Sequence, residues 1–401
     1  MAAPPPRSEG RSGPGTPTSV NTEADAAAAR RARWDRVRGR MGDLGIDALL
    51  LSLGADLPWL TGYAAMPLER LTMLVLPADD TATLVVPRLE EPRVVPVPDL
   101  FAVLPWDETD DPVAAVVAQL TPRSGGRSGP GGRRSLAVSD RTWATFVLAL
   151  QASLPDARWH AASLVTSALR AVKDGAEVAA LRRAAAAADR VAAALVSGDV
   201  ALVARTEADV SHELGERLLA EGHERVNFAI VGSGPNSASP HHEPGPRRIE
   251  AGEAVVCDFG GALAGYCSDI TRTVFTGEPP AEFRDLYTVL RQAQAAAVDA
   301  ARVGVPCEDV DGVARRIIGD AGYGHFFVHR TGHGIGLEEH EDPYLVGGNC
   351  EPLAAGHAFS VEPGIYVPGK WGARLEDIVV ATDAGPDALN TADHDLAVVE
   401  G

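Results

Sequence analysis

Four acidic residues of this 401-residue chain sit where acids are out of place. Residues 254–276 (AVVCDFGGALAGYCSDITRTVFT) hold Asp258 and Asp269, eleven positions apart, in two apolar runs around a glycine-bearing turn. The pattern predicts a hairpin with a longer loop, and antiparallel pairing could bring both carboxylates to one face. An ionised carboxylate buried there costs several kcal/mol unless it is paired or metal-bound. A capped turn or a salt bridge to Arg272 would also answer that need. Glu362 in FSVEPGIY and Glu376 in ARLEDIVV pose the same question, because glutamate is disfavoured in strands. Arg374, two residues before Glu376 and on the same face of a strand, offers an ion pair. Three histidines follow the same logic: His329, His333 and His340 lie in VHRTGHGIGLEEHE (328–341), whose glycines preclude a regular helix. Gly332, Gly334 and Gly336 let the backbone approach a bound group closely. A lone histidine is more often a hydrogen-bonded structural residue than a ligand; three on one glycine-rich loop strengthen the case for ligation.

Each site alone is ambiguous, but the set is not. Four carboxylates and one imidazole form a hard, oxygen-rich donor set suited to Mn²⁺, Co²⁺ or Zn²⁺, with manganese the natural fit. The donors outnumber what one ion needs and suit two ions sharing bridging carboxylates, about 3.5–4 Å apart.

The elements that must position these residues are readable in outline. Residues 1 to about 25 are rich in Pro, Gly, Ser, Thr and Ala and read as a disordered tail without the apolar stretch of a signal peptide. A helix follows, with Trp34, Val37 and Met41 at helical spacing and Gly45 as its stop. Short apolar runs at 47–52, 72–77 and 83–87, bounded by Gly, Pro or Asp, predict buried strands; helices are expected around 112–120 and 141–153. This alternation predicts an α/β domain over about 26–165, with the low-complexity tract at 123–135 as a surface loop. Helices over 177–197 and 207–221, the latter with Thr206 or Asp209 near its start, open a second domain over about 166–401. From Val226 onward short strands alternate with glycine-rich turns.

Composition excludes several classes. The net charge of −19 argues against a nucleic-acid partner, which needs clustered positive charge. No apolar run approaches the roughly 18–20 residues of a membrane span. The four cysteines lack CxxC spacing and fit neither a disulfide scaffold nor a zinc ribbon. Cys257 and Cys267 flank the aspartates; strand alternation turns Cys257 away from Asp258 and puts Cys267 on the face of Asp269, and both read as small buried hydrophobes. A soluble, cytoplasmic protein is expected.

The motifs VGSGPNSASPHH (231–242), DFGGALAGYCSDITRT (258–273), HRTGHGIGLEEHE (329–341), SVEPGIY (360–366) and ARLEDI (373–378) resemble the pita-bread metallopeptidases of the creatinase, prolidase and aminopeptidase P family, especially its actinobacterial dipeptidases. The resemblance covers about 30–395. It implies a two-part α/β (α+β) fold: an amino-terminal creatinase-like mixed sheet and a carboxy-terminal pita-bread domain, a curved antiparallel sheet with helices outside and metals on the concave face. It implies that Asp258 chelates one ion, Asp269 and Glu376 bridge both, and His333 and Glu362 bind the second. His241, His329 and His340 would orient substrate and stabilise the tetrahedral intermediate, while His242 beside the first has no counterpart in the motif. A hydroxide bridging the metals would be the nucleophile, since metal binding brings a water pKa to about 7. His340 or His329 would donate to the oxyanion, and Glu362 would carry the proton to the leaving nitrogen. Arg374 would hold Glu376 or a neighbouring acid.

The implied substrate is a short peptide cleaved at an amino-terminal Xaa-Pro bond: a dipeptide foremost, with an aminopeptidase P on longer peptides or a broader dipeptidase as alternatives. Several prolidases carry HExPR, whose arginine grips the dipeptide carboxylate. Here the run is His340-Glu341-Asp342-Pro343-Tyr344, and Tyr344 can donate one hydrogen bond but cannot form the bidentate pair. Relatives are commonly homodimers. Creatinase works without metals and lacks the full carboxylate set; methionine aminopeptidase usually lacks the additional domain. A non-catalytic binding module would have lost ligands, and none of the five is lost.

Overall fold

The computed structural model describes residues 20–120 and 133–400. The expected tail therefore lies outside the described residues as far as residue 19, and from Val20 the chain is helical. Most of the low-complexity tract at 123–135 also lies outside them.

Helix α1 (Val20–Leu44) ends where Gly45 takes φ 65°, a left-handed value that glycine adopts without strain. Its Trp34, Val37 and Met41 are all buried, as their spacing predicts. Six strands form the first sheet: β1 (Ala48–Leu51), β2 (Met73–Pro77), β3 (Ala82–Pro87), β4 (Phe101–Trp106), β5 (Ser135–Val138) and β6 (Arg158–Ala161). Their order is β4-β3-β2-β1-β5-β6, antiparallel between β1 and β2 and between β2 and β3, and parallel elsewhere. The apolar runs are continuous because both faces are covered. Leu49, Leu51, Leu74 and Leu76 face one core, with α1 and α2 (Asp56–Thr61). Ala48, Leu50, Met73 and Val75 face another, with α3 (Pro112–Gln119) and α4 (Ala144–Ser153). Helix α5 (Ser163–Ala171) buries Val165 in the first core and leads into α6 (Gly175–Val196), which opens with a capping box formed by Asp174 and Glu177. Helix α7 (Glu207–Ala220) starts with a second box, from Thr206 and Asp209.

The remaining strands build two sheets joined at the site. The first contains β7 (Arg225–Ser233), β8 (Ala254–Leu263), β9 (Tyr266–Cys267) and β10 (Ile270–Thr276), with β18 (Ala397–Val399) on its edge. The second runs β12-β11-β13-β16-β17, comprising β11 (Gly332–Gly334), β12 (Glu341–Leu345), β13 (Ala358–Val361), β16 (Asp377–Thr382) and β17 (Gly385–Ala388). A ribbon of β14 (Gly364–Val367) and β15 (Trp371–Arg374) stands beside them, and a bridge between Thr271 and Glu376 links the sheets.

Strand alternation sorts the first of these sheets. Val255, Cys257 and Phe259 of β8 and Ile270 and Val274 of β10 pack with α6 and α7. Asp258 lies opposite Thr271 in the antiparallel register, so Asp258, Thr271 and Asp269 share the other face. Helices α8 (Ala281–Ala300) and α9 (Cys307–Asp320) cover the second sheet on the side away from the acids. The two-part mixed fold is thus the expected one. Among the described residues no helix is long and apolar enough to cross a membrane.

Candidate metal centre

The acids meet the imidazoles in a cavity of about 550 Å³, where both carboxy-terminal sheets converge. Asp258, Asp269, His333, Glu362 and Glu376 all line it, with His241, His329, His340 and Arg374. Asp269, His333 and Glu376 each bring a ligand atom within 4.8 Å of the others. His333 Nε2 lies 3.3 Å from Glu362 Oε1 and 3.7 Å from Asp269 Oδ2. The two glycines flanking His333 are steric requirements: a Cβ at Gly332 would collide with the Ser360 carbonyl, and one at Gly334 with the Asp342 carbonyl.

Hydrogen bonds fix the imidazole tautomers, because their partners have only one possible role. His333 Nδ1 faces the Gly334 carbonyl at 3.1 Å and must donate, leaving the Nε2 lone pair toward the acids. His329 Nδ1 donates to the Arg330 carbonyl at 2.7 Å, so its Nε2 accepts from the Tyr366 hydroxyl at 2.9 Å. Both nitrogens of His329 are therefore engaged. His340 is the reverse: Arg330 donates to its Nδ1 at 3.3 Å, which leaves an Nε2 proton to give. Its ring stands 3.9 Å from that of His333. Burial lowers the pKa of all three imidazoles, that of His329 to about 3, with help from Arg374.

Arg374 holds Asp258 rather than Glu376. Its Nη2 donates to Asp258 Oδ2, its Nη1 to Tyr366 at 2.8 Å and its Nε to Thr271 Oγ1 at 3.1 Å. Thr271 in turn donates to Glu376 Oε2 at 2.6 Å. Glu376 itself lies between β15 and β16, not on one strand with Arg374. The alternative of Arg272 as partner for the aspartates fails, because that side chain is spent on Asp377 at 2.8 Å and on four carbonyls.

Two arginines, Arg374 and Arg330, face four carboxylates, which leaves the cluster short of positive charge. Asp258 Oδ1 and Glu376 Oε1 are buried with no hydrogen-bond partner. Burial and the neighbouring carboxylates push Asp269 and Glu376 well above the usual carboxylate range, and burial pushes Glu362 up to about 7. A neutral imidazole lone pair, orphaned carboxylate oxygens and surplus negative charge are the donor set of a divalent metal site, so the residues fit the group.

Four further placements bear on the site. His242 turns away from the cavity, its Nε2 2.8 Å from Glu207, while His241 lines it. Tyr344 lies under the Arg330 guanidinium, 4.5 Å from it, and lines a neighbouring cavity of about 300 Å³ instead. Arg330 and Glu339 line the metal cavity although sequence reasoning passed over both. Arg330 was visible, between two singled-out residues of HRTGH; nothing in the spacing said that it points inward.

The chain belongs to metallopeptidase family M24, whose model matches residues 179–383, and it carries a creatinase/prolidase amino-terminal domain over 33–172. It is 44% identical over 361 residues to the probable dipeptidase PepE of Mycobacterium tuberculosis, covering 89% of this chain and 93% of that protein. Among solved structures it is similar to dipeptidase PepE from Mycobacterium ulcerans, at 43% identity and a TM-score of 0.82, with 93% and 99% of the two chains covered. Prolidase from Thermococcus sibiricus superposes with a TM-score of 0.84 at 34% identity over the same shares.

Proposed function

We propose that this protein is a two-metal dipeptidase that hydrolyses Xaa-Pro and similar dipeptides, with manganese as its foremost cation. Asp258, Asp269, His333, Glu362 and Glu376 would hold the ions. When bound, the pair supplies a deprotonated water at neutral pH and polarises the scissile carbonyl.

The chain's own groups divide the remaining work. His340 presents its Nε2 proton to the oxygen that gains charge, a contact that strengthens as the carbonyl becomes tetrahedral. His329 cannot serve there with both nitrogens committed; it fixes Tyr366, and through it Arg374 and Asp258. Glu362, with Ser360 donating to it at 3.3 Å, carries the proton to the leaving nitrogen. Phe228 and Ile230 supply an apolar wall against which a proline ring can rest.

The observation that carries the dipeptide reading is Arg330. Among the described residues it lines the metal cavity without a carboxylate partner, held by Tyr344 and His340. A guanidinium so stacked keeps donors free for a bidentate carboxylate, which a dipeptide places one residue beyond the scissile bond. The prolidase and dipeptidase names of the similar proteins agree with this reading. A second reading, an aminopeptidase P on longer peptides, draws on the adjoining 300 Å³ cavity, since His340 lines that space too.

Metal-free protein reconstituted with Mn²⁺ and offered Ala-Pro, Ala-Pro-Ala and Ala-Leu tests the proposal. Cleavage of Ala-Pro above the tripeptide is the expected result. Preference for Ala-Pro-Ala would favour the second reading, and no cleavage despite bound metal would overturn both.

A further inference from the structure

Behind the metal cavity lies a second buried cluster of charge that the chemistry above does not use. Arg170 on α5, 10% exposed in its side chain, donates to Asp56 of α2 at 3.0 Å and to Glu338 at 2.8 Å, and it also contacts Glu341. Lys173, 1% exposed, reaches Glu341 Oε1 at 2.6 Å, and Arg141 reaches Glu338 from the rim at 2.8 Å. Asp56 and Arg141 belong to the amino-terminal domain, whereas Glu338 and Glu341 flank Glu339 and His340. The segment therefore divides its side chains: Leu337 packs against the core of the first sheet, Glu338 and Glu341 turn to Arg170 and Lys173, and Glu339 and His340 line the metal cavity. Contact is close enough that a Cβ at Gly336 would strike the Glu341 carboxylate and come within 3.0 Å of Lys173.

We propose that Arg170 is a positioning residue: anchored on Asp56, it holds residues 338–341 and so sets where the His340 imidazole stands in the metal cavity. The proposal rests on the peptidase reading. The physical reason is charge. Without the guanidinium, three carboxylates share Lys173 and a rim arginine, and the segment must move to rehydrate them. Because Glu338 and Glu341 bracket His340, that movement displaces the imidazole. Arg170 forms no hydrogen bond or ion pair with any of the five metal-site residues, so metal content is expected to stay unchanged.

A double-mutant cycle between Arg170→Met and His340→Ala, in the manganese-loaded full chain, tests this. Arg170→Met alone is expected to lower kcat by about 10–100-fold, the scale of a misplaced catalytic group, with little change in KM or metal content. In the His340→Ala background the same substitution is expected to leave kcat nearly unchanged, since its effect runs through the missing imidazole. Equal losses in both backgrounds, or no loss in the first, would overturn the proposal. Should the methionine variant fail to fold, Arg170→Lys keeps the charge without the fork, and the same cycle applies. A nitrogen-detected spectrum of the His340 ring, taken with diamagnetic Zn²⁺ in place of Mn²⁺, separates this claim from the peptidase reading. If the wild-type protein cleaves no dipeptide, that reading fails, and the ring decides positioning alone: a shifted resonance in the Arg170 variant supports it, an unmoved one rejects it.

Discussion

Two clusters of buried charge stand back to back in this molecule, and they are built on opposite principles. Around Arg170 the protein supplies its own balance: Asp56, Glu338 and Glu341 each meet a cation from the same chain. In the metal cavity Asp258, Asp269, Glu362 and Glu376 have Arg374 alone in contact with one of them, and two oxygens are left without a donor. The first arrangement ties two domains together. The second is complete only with charge from outside. Buried acids in surplus thus mark the site of chemistry, and buried acids in balance mark the structure that holds it.

The largest test of this contrast is Asp269→Asn. Activity should fall to background and metal content should drop, yet the metal-free variant should melt higher than the metal-free parent, by about 2–4 °C per kcal/mol of repulsion relieved. A lower melting point would break the contrast. His340→Ala, at the border of the two clusters, is expected to reduce kcat by about 10²–10³-fold with metal retained, as measured by steady-state kinetics and metal analysis. Arg330→Met should raise KM for Ala-Pro by about 10–100-fold, the worth of a charge-assisted pair, and should raise KM for the carboxamide Ala-Pro-NH₂ far less, while any loss of kcat through the His340 contact falls on both substrates alike.

In the balanced cluster the sign reverses. Glu341→Gln should destabilise the protein by about 1–3 kcal/mol in urea unfolding while metal content stays unchanged. The smallest effect is one of pH. In the metal-free fold Glu362 is raised from 4.5 to about 7, and Asp269 and Glu376 move the same way. These groups bind protons more tightly folded than unfolded, so their contribution to stability falls as pH rises from about 4.5 to 7. Melting of metal-free protein across that range should show the fall, and added Mn²⁺ should remove it.

Much of the site was legible because its residues broke local rules. Asp258 and Asp269 interrupt apolar runs, and the two-residue period of their strand neighbours says which face they occupy. The strands at 47–52, 72–77 and 83–87 were legible for the opposite reason, since nothing interrupts them. What sequence could not give was the pairing of charges across distance. Arg374 looked like the partner of Glu376, two residues away, but the fold carries it to Asp258, 116 positions earlier. Arg272 likewise sits beside the aspartates in sequence and serves Asp377 instead. Spacing along a strand says which face a residue takes; it does not say which element will come to meet it. Arg170 and Lys173 carry no such signal, because a basic residue on or just beyond an amphipathic helix is ordinarily a solvated one.

The hydrogen bonds around His329 have a spectroscopic consequence. With the Arg330 carbonyl on one side and the Tyr366 hydroxyl on the other, its proton is confined to Nδ1, while His340 carries its proton on Nε2. The two rings thus differ in tautomer although they share one cavity. Their nitrogen resonances would separate without any labelling beyond the histidines. One would follow the bracing of Asp258, and the other the loop that approaches the substrate.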